Sequence, residues 1–330
     1  MQNKLIFTTL FNSFYLCKGL TMYKSLCQVC EDFHLYLFAY DDKSFDFLIQ
    51  QGYKNVTILS LSDLETYYPE LLEVKRDRTF AEYCWTTTPF TISYCLANYN
   101  IDHCVYIDAD LFFLSNPNVL IDELINDDVL ITEHRYTQCY DQSLTSGKYC
   151  VQFIAVRNTE NGRSIINWWK SACHTWCYNR YEDGKFGDQK YLDDWTTRFN
   201  GVHVLQHFGT LAPWNIQQYS LKRSANKLVA YEYSSNKIFI PVLYHFHYLR
   251  TSKILNFYEY IFGPYELSRA VIKLVYKPYI KMMMSIHSNL LQHGFSDAEL
   301  GYNSLNLKKW RKPFHLIRTF YRKNKSIRYY

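Results

Sequence analysis

The chain has 330 residues, of which 48% are hydrophobic and 20% charged, with 11 Gly, 8 Pro, 31 Tyr and 22 Phe. That composition excludes disordered, collagenous and low-complexity classes and leaves one large domain or two small ones with an aromatic-rich core. The net charge of +5 is uneven: residues 265–330 carry 13 Lys/Arg against 3 Asp/Glu, and the 264 residues before them carry 23 against 28.

Leu5–Thr9 is an apolar run and reads as a buried strand. Leu16, Leu20, Tyr23, Cys27 and Cys30 recur at helical spacing, so a helix follows. Leu35–Tyr40 predicts a second strand, Asp46–Gln51 a helix, Asn55–Leu59 a third strand and Thr88–Tyr99 a helix. Cys104–Ile107 predicts a strand that runs into Asp108-Ala109-Asp110. Strands alternating with helices predict an α/β fold with a mostly parallel sheet and crossover helices. Further on, Val129–Thr132, Tyr149–Val156, Val202–Leu205 and Ile238–Phe246 are predicted strands, and Ser164–Tyr178 and Gln189–Arg198 predicted helices. From Ser252 onward the pattern reads as helical. Residues 1–250 are therefore read as one α/β domain and residues 251–330 as a basic, helical C-terminal extension.

No apolar stretch approaches the roughly 18 residues of a membrane span. The N-terminus runs straight into a strand without the apolar region and cleavage site of a signal peptide, so a cytoplasmic location is expected. The ten cysteines are scattered, and free thiols are expected of them. From Leu305 to Tyr330, Lys308, Lys309, Arg311, Lys312, Arg318, Arg322, Lys323, Lys325 and Arg328 are interleaved with Trp310, Phe314, Leu316, Ile317, Phe320 and Tyr321. Basic residues mixed with aromatics suit an interfacial helix on anionic lipid, which would make the protein peripheral on the cytoplasmic membrane face. The bland reading is a solvated helix that packs its apolar stripe on the body. Nucleic acid is not an expected partner, because no binding motif accompanies the charge.

Ligands of open α/β sheets bind beyond the carboxyl ends of the strands. Thr8–Ser13, Asp41-Asp42 and Asp108–Asp110 would therefore meet at one mouth. Two carboxylates two residues apart on extended chain point the same way, and at an apolar boundary they repel unless a cation joins them. Oxygen ligands select Mg²⁺ or Mn²⁺, often shared with substrate phosphates. Asp108 and Asp110 thus read as a divalent-metal site for a nucleoside diphosphate, or more plainly as ordinary carboxylates past a strand end. An aspartyl-phosphate phosphatase is disfavoured, because the pair lies a third of the way into the chain and is followed by Leu111-Phe112-Phe113.

Five segments taken in order carry a resemblance: Leu5–Leu16, Tyr106–Asp110, Tyr149–Ile154, Phe186–Leu192 and Tyr244–His247. Across residues 4–250 the chain resembles the metal-dependent nucleotide-sugar glycosyltransferases of the GT-A fold. It is most similar to family 8, the group of bacterial lipooligosaccharide galactosyltransferases and glycogenin. The resemblance implies hexosyl transfer from a nucleotide-diphosphate sugar, a UDP-sugar, to a glycan or glycolipid acceptor, with retention of configuration, as in lipopolysaccharide or other glycan biosynthesis. It implies Mn²⁺ or Mg²⁺ held by Asp108, Asp110 and His245, with His247 as the competing ligand. Thr8, Thr9 and Asn12 would bind base and ribose, and Arg78, Arg250 and Gln189 would contact donor phosphate or sugar. Asp188 would hydrogen-bond donor hydroxyls and steady charge on the sugar carbon, or deprotonate the acceptor; it also has the position of a helix N-cap. Gln152 would face the sugar or the acceptor, and Trp214 would stack on sugar or serve as core. The chain departs from the family at Gln152, where an Asn followed two residues on by Gly is usual. It departs again at Tyr248-Leu249-Arg250, where Gly and Lys-Pro-Trp are usual. Those departures motivate a second reading: a catalytically idle relative acting as a scaffold at a membrane surface.

Overall fold

Leu5–Phe11 (β1) is buried along its whole length. An apolar strand of this kind has no solvent face and needs a layer on each side. Leu5, Phe7 and Phe11 point into one core and Ile6 and Leu10 into the other, as the two-residue period of a strand requires. The first core is closed by the helix Leu16–Val29 and, from far along the chain, the helix Lys277–Gln292. The second is closed by the helices Phe80–Asn98 and Glu160–Thr175. The computed structural model describes residues 4–304 and 326–329, apart from Asn226 and Asn256.

Beside β1 lie Phe33–Ala39 (β2), Val56–Ser60 (β3) and His103–Ile107 (β4). Leu111–Phe113 (β5) follows β4 directly. Val129–Glu133 (β6), Tyr149–Arg157 (β7) and Val202–Val204 (β8) complete a seven-stranded sheet of order β3-β2-β1-β4-β7-β6-β8. Only β7 runs against the others, through antiparallel pairs with β4 and β6. The carboxyl ends of β1, β2, β4 and β6 therefore share one edge with the amino end of β7. This is the mostly parallel α/β architecture expected.

A small sheet extends that edge. Thr210–Leu211 (β9) and Leu243–His245 (β13) join β5 in the order β5-β13-β9. Tyr219–Ser224 (β10), Lys227–Glu232 (β11) and Ile238–Phe239 (β12) form a separate antiparallel sheet. The single strand expected over Ile238–Phe246 is thus two short strands, β12 and β13, split around Pro241, which has no N–H for a ladder.

Other boundaries moved for local reasons. The helix expected from Thr88 starts at Phe80, because Thr79 and Glu82 form a reciprocal capping box. The helix expected over Gln189–Arg198 is a 3-10 stretch, Lys190–Asp194, passing into the turn Trp195–Arg198. The largest difference follows Arg250. Where a helical pattern was expected, Arg250–Ile254 (β14) and Phe257–Ile261 (β15) form an antiparallel hairpin. Its Thr, Ile, Phe and Tyr content favours a pleated, half-buried surface. Helix begins only at Arg269, capped by Ser268, and passes into Lys277–Gln292. Tyr302–Ser304 (β16) and Ser326–Tyr329 (β17) flank the hairpin. Tyr260, Phe262, Tyr276, Tyr279 and Met283 share the core of β1, so this segment packs on the α/β sheet. The basic stretch Leu305–Lys325 lies outside the described residues. No helix among those described is long and apolar enough to cross a membrane.

Candidate active site

Three backbone registers assemble the site. β4 ends at Ile107, which pairs with Phe153 of β7. The N–H of Asp108 then donates to the carbonyl of Gln152 at 3.2 Å. β5 pairs with β13 so that His245 lies opposite Leu111, and the N–H of Phe246 donates to the carbonyl of Asp110 at 2.9 Å. The chain around Asp108–Asp110 is thereby held between β7 and β13, and its two carboxylates meet the imidazole of His245.

One ligand atom from each of Asp108, Asp110 and His245 lies within 4.8 Å of the others. His245 Nε2 is 3.0 Å from Asp110 Oδ1 and 3.7 Å from Asp108 Oδ2. The other ring nitrogen, Nδ1, is 2.8 Å from Gln152 Oε1. An amide oxygen only accepts, so Nδ1 carries a proton. Lys18 Nζ lies 3.6 Å from Asp110 Oδ2 and 4.3 Å from the centre of the Tyr15 ring.

The electrostatics divide the two carboxylates. Burial, opposed in part by His245, pushes Asp108 up to about 6. Asp110 is held far below the usual carboxylate range, because His245 and Lys18 together outweigh its burial. The same contact with Asp110 holds the His245 imidazolium well above its ordinary value despite burial. His247 is pushed down to about 3 by burial and by the charge of His245. Two carboxylate oxygens and one imidazole nitrogen are a donor set that Mn²⁺ accepts, and their spacing suits one ion.

These groups line a cleft of about 640 Å³, within the range of ordinary small-molecule sites. Asn12, Asp188, Gln189, Trp214 and His247 line it too. The positive φ of Gly187, 52°, lets the chain turn there, and an added Cβ would lie 3.3 Å from Trp85. The next residue, Asp188, is anchored through its carbonyl, which accepts from Trp169 Nε1 at 2.9 Å. Its carboxyl is pushed up to about 8 by burial and then by the charge of Asp108. Gln189 Nε2 donates to the carbonyl of Ser146 at 2.7 Å. Trp214 Nε1 donates to the carbonyl of His134 at 2.9 Å, and its ring stands edge-on to both His245 and His247.

Other expected residues stand elsewhere. β1 runs two residues past Thr9, so Thr8 and Thr9 are fully buried inside the sheet and the cleft begins at Leu10. Gln152 is 1% exposed and sits behind His245 rather than on the cleft wall. Arg78 is buried away from the cleft, with Nη2 donating to the carbonyl of His174 and its guanidinium over the Tyr178 ring. Arg250 is exposed at the start of β14, near the Tyr248 ring, and also lies off the cleft. Asp188 does not cap the following 3-10 stretch, whose N-cap is Gln189. Among the residues at the site for which no role was expected are Lys18, Tyr106, His134 and Tyr136. Tyr106, whose hydroxyl donates to Asp108 Oδ1 at 3.1 Å, was findable, being two residues upstream on the same strand. Lys18 has no local signal.

No family model matches the chain. Its sequence is 30% identical over 308 residues to YfnD, an uncharacterised protein of Bacillus subtilis, covering 90% of this chain and 94% of YfnD. It is 28% identical over 223 residues to YfnF of the same organism, covering 65% of this chain and 73% of YfnF. In structure it is similar to the galactosyltransferase LgtC in complex with donor and acceptor sugar analogues, with a TM-score of 0.53 at 12% identity. That likeness covers 85% of this chain and 96% of LgtC, and it establishes the fold. The chain thus belongs to the family of YfnD and has the GT-A fold of glycosyltransferases.

Proposed function

We propose that the protein is a metal-dependent glycosyltransferase that moves a hexose from a UDP-sugar to a glycan or glycolipid acceptor with retention of configuration. The observation that carries the reading is the triad of Asp108, Asp110 and His245, whose ligand atoms converge within 4.8 Å at the strand-end cleft of a GT-A sheet. LgtC, which shares the fold, is described with donor and acceptor sugar analogues.

Asp108, Asp110 and His245 would hold the ion, and the imidazole ligand favours Mn²⁺ over Mg²⁺. When bound, the ion neutralises charge that develops on the diphosphate leaving group. The remaining work falls to the chain. Gln152 accepts from His245 Nδ1–H and so leaves Nε2 as the nitrogen facing Asp110. Asp188, protonated below about pH 8, would donate to an oxygen of the donor sugar; once ionised it would steady positive charge at the sugar carbon. Trp85, Phe186, Tyr136 and Trp214 give the cleft apolar walls that exclude water from the reacting atoms. Asn12, at the mouth of β1, would hydrogen-bond the nucleoside. Residues 1–250 would carry this chemistry. The basic end of 251–330 would hold the enzyme at the cytoplasmic face of a membrane, near a lipid-linked acceptor.

The test is release of UDP from UDP-glucose and UDP-galactose by purified protein with Mn²⁺, with Mg²⁺ and with EDTA. Release that needs the cation supports the reading. Absence of both turnover and nucleotide binding across a panel of nucleoside-diphosphate sugars would sink it.

A further inference from the structure

A nucleoside diphosphate brings more negative charge to the cleft than one divalent ion held by two carboxylates can neutralise. Among the described residues lining it there is neither Lys nor Arg. Arg78 and Arg250 lie elsewhere, as shown above. An ammonium does stand beside the metal triad, that of Lys18, in the first turn of the helix Leu16–Val29. Its side chain is 14% exposed, and its Nζ stands beside Asp110 Oδ2 at 3.6 Å, too far for a direct hydrogen bond. Asp110 Oδ1 is already taken by His245.

The position of Lys18 is built by its neighbour. A Cβ added at Gly19 would fall 2.3 Å from Cε1 of Phe11, at the end of β1. The missing side chain lets the helix press against the strand end, which brings its first turn to the metal triad. The Tyr15 ring then carries the ammonium from one side and Asp110 from another.

The balance of charge then points to a ligand, an inference that rests on the glycosyltransferase reading. A divalent cation would be balanced by Asp108 and Asp110. The ammonium of Lys18 would then share Asp110 with a like charge and be left without a counter-ion in a half-buried place. A diphosphate on the same ion supplies that counter-ion, and the four-carbon lysine stem allows the short movement from Oδ2. We infer that Lys18 is the donor-binding cation of this enzyme: its ammonium rests beside Asp110 in the free state and contacts the diphosphate of the bound nucleotide.

The experiment is calorimetric titration of the full chain with Mn²⁺ alone, and then with UDP and with inorganic pyrophosphate in saturating Mn²⁺. Lys18→Met keeps the stem and loses the charge. It should weaken UDP and pyrophosphate by roughly 10- to 100-fold, the worth of one charge-assisted hydrogen bond, while Mn²⁺ alone binds as well or better. Lys18→Arg should recover most of the diphosphate affinity. Lys18→Gln serves in the same role if the Met variant does not fold. Wild-type diphosphate affinity in the Met or Gln variant overturns the inference and leaves the proposed function standing. Parallel loss of Mn²⁺ and diphosphate overturns it too, by making Lys18 a prop of the triad. Failure of the wild type to bind any nucleoside diphosphate with Mn²⁺ overturns the proposed function and this inference together.

Discussion

Gln152 Oε1 lies 2.8 Å from His245 Nδ1, on the side of the ring opposite Asp110. The contact fixes which nitrogen is free to bind a cation. Gln152→Leu removes the acceptor, strands a buried N–H and frees the ring to turn. We expect Mn²⁺ affinity to fall about 10- to 100-fold, as for other groups behind a metal-binding histidine. Gln152→Glu keeps the acceptor and should retain most of it. Electron paramagnetic resonance of free Mn²⁺ during titration reads this without any turnover. Equal affinity in Gln152→Leu would return Gln152 to a role on the substrate side.

The two aspartates should separate in stability although both should be needed for metal. Asp110 neutralises His245 and Lys18, so Asp110→Asn leaves two cations without their partner and should cost about 1–3 kcal/mol. Asp108, pushed up to about 6 by burial, gains little from ionising, and Asp108→Asn should be neutral or stabilising. Urea melts in EDTA measure the difference, and Mn²⁺ titration should find both variants defective. Similar stabilities for the two would contradict the division of charge described above.

Much of the sheet was legible because β1, β2 and β4 are buried on both faces and read as continuous apolar runs. Asp108 and Asp110 were legible for the same reason, since carboxylates at the end of such a run need a partner. His245 was visible only through family resemblance. The role of Gln152 depends on β7 being the one reversed strand, which sets Phe153 against Ile107. The approach of His245 depends on β5 pairing with β13, far along the chain. Neither register leaves a local pattern. Thr8 and Thr9 looked like mouth residues because β1 was read as ending there, whereas Leu10 and Phe11 continue it. The hairpin after Arg250 was missed because its aromatics, Phe257, Tyr258 and Tyr260, also satisfy helical spacing.

The basic tail gives a separate prediction. Replacing Lys308, Lys309, Arg311 and Lys312 by Gln leaves β17 and its Arg328–Glu259 ion pair in place. Each basic residue near an anionic surface contributes about 1 kcal/mol. Co-sedimentation with phosphatidylglycerol vesicles should therefore drop steeply in the variant and in high salt, with UDP release from a soluble mixture unchanged. Unaltered vesicle binding would remove the membrane role from this segment.

Asp188 should write itself into the pH dependence of stability. Asp188 is 7% exposed, and its carboxyl is pushed up to about 8, against 3.8 for an ordinary one. Between those values the folded state keeps a proton that the unfolded chain has lost. Stability must then fall as pH rises through that window, by at most about 1.4 kcal/mol per unit from this group, and level off above pH 8. Asp188→Asn carries no such proton. Its thermal midpoint in EDTA should decline less than that of the wild type from pH 5 to pH 8, so that the variant gains on the wild type as pH rises. Its kcat should fall by about 100-fold or more. Parallel pH curves for the two proteins would refute the assignment. Mn²⁺ offers an internal check: neutralising Asp108, the second cause of the shift, should bring the upper end of the wild-type decline to lower pH and leave its start in place.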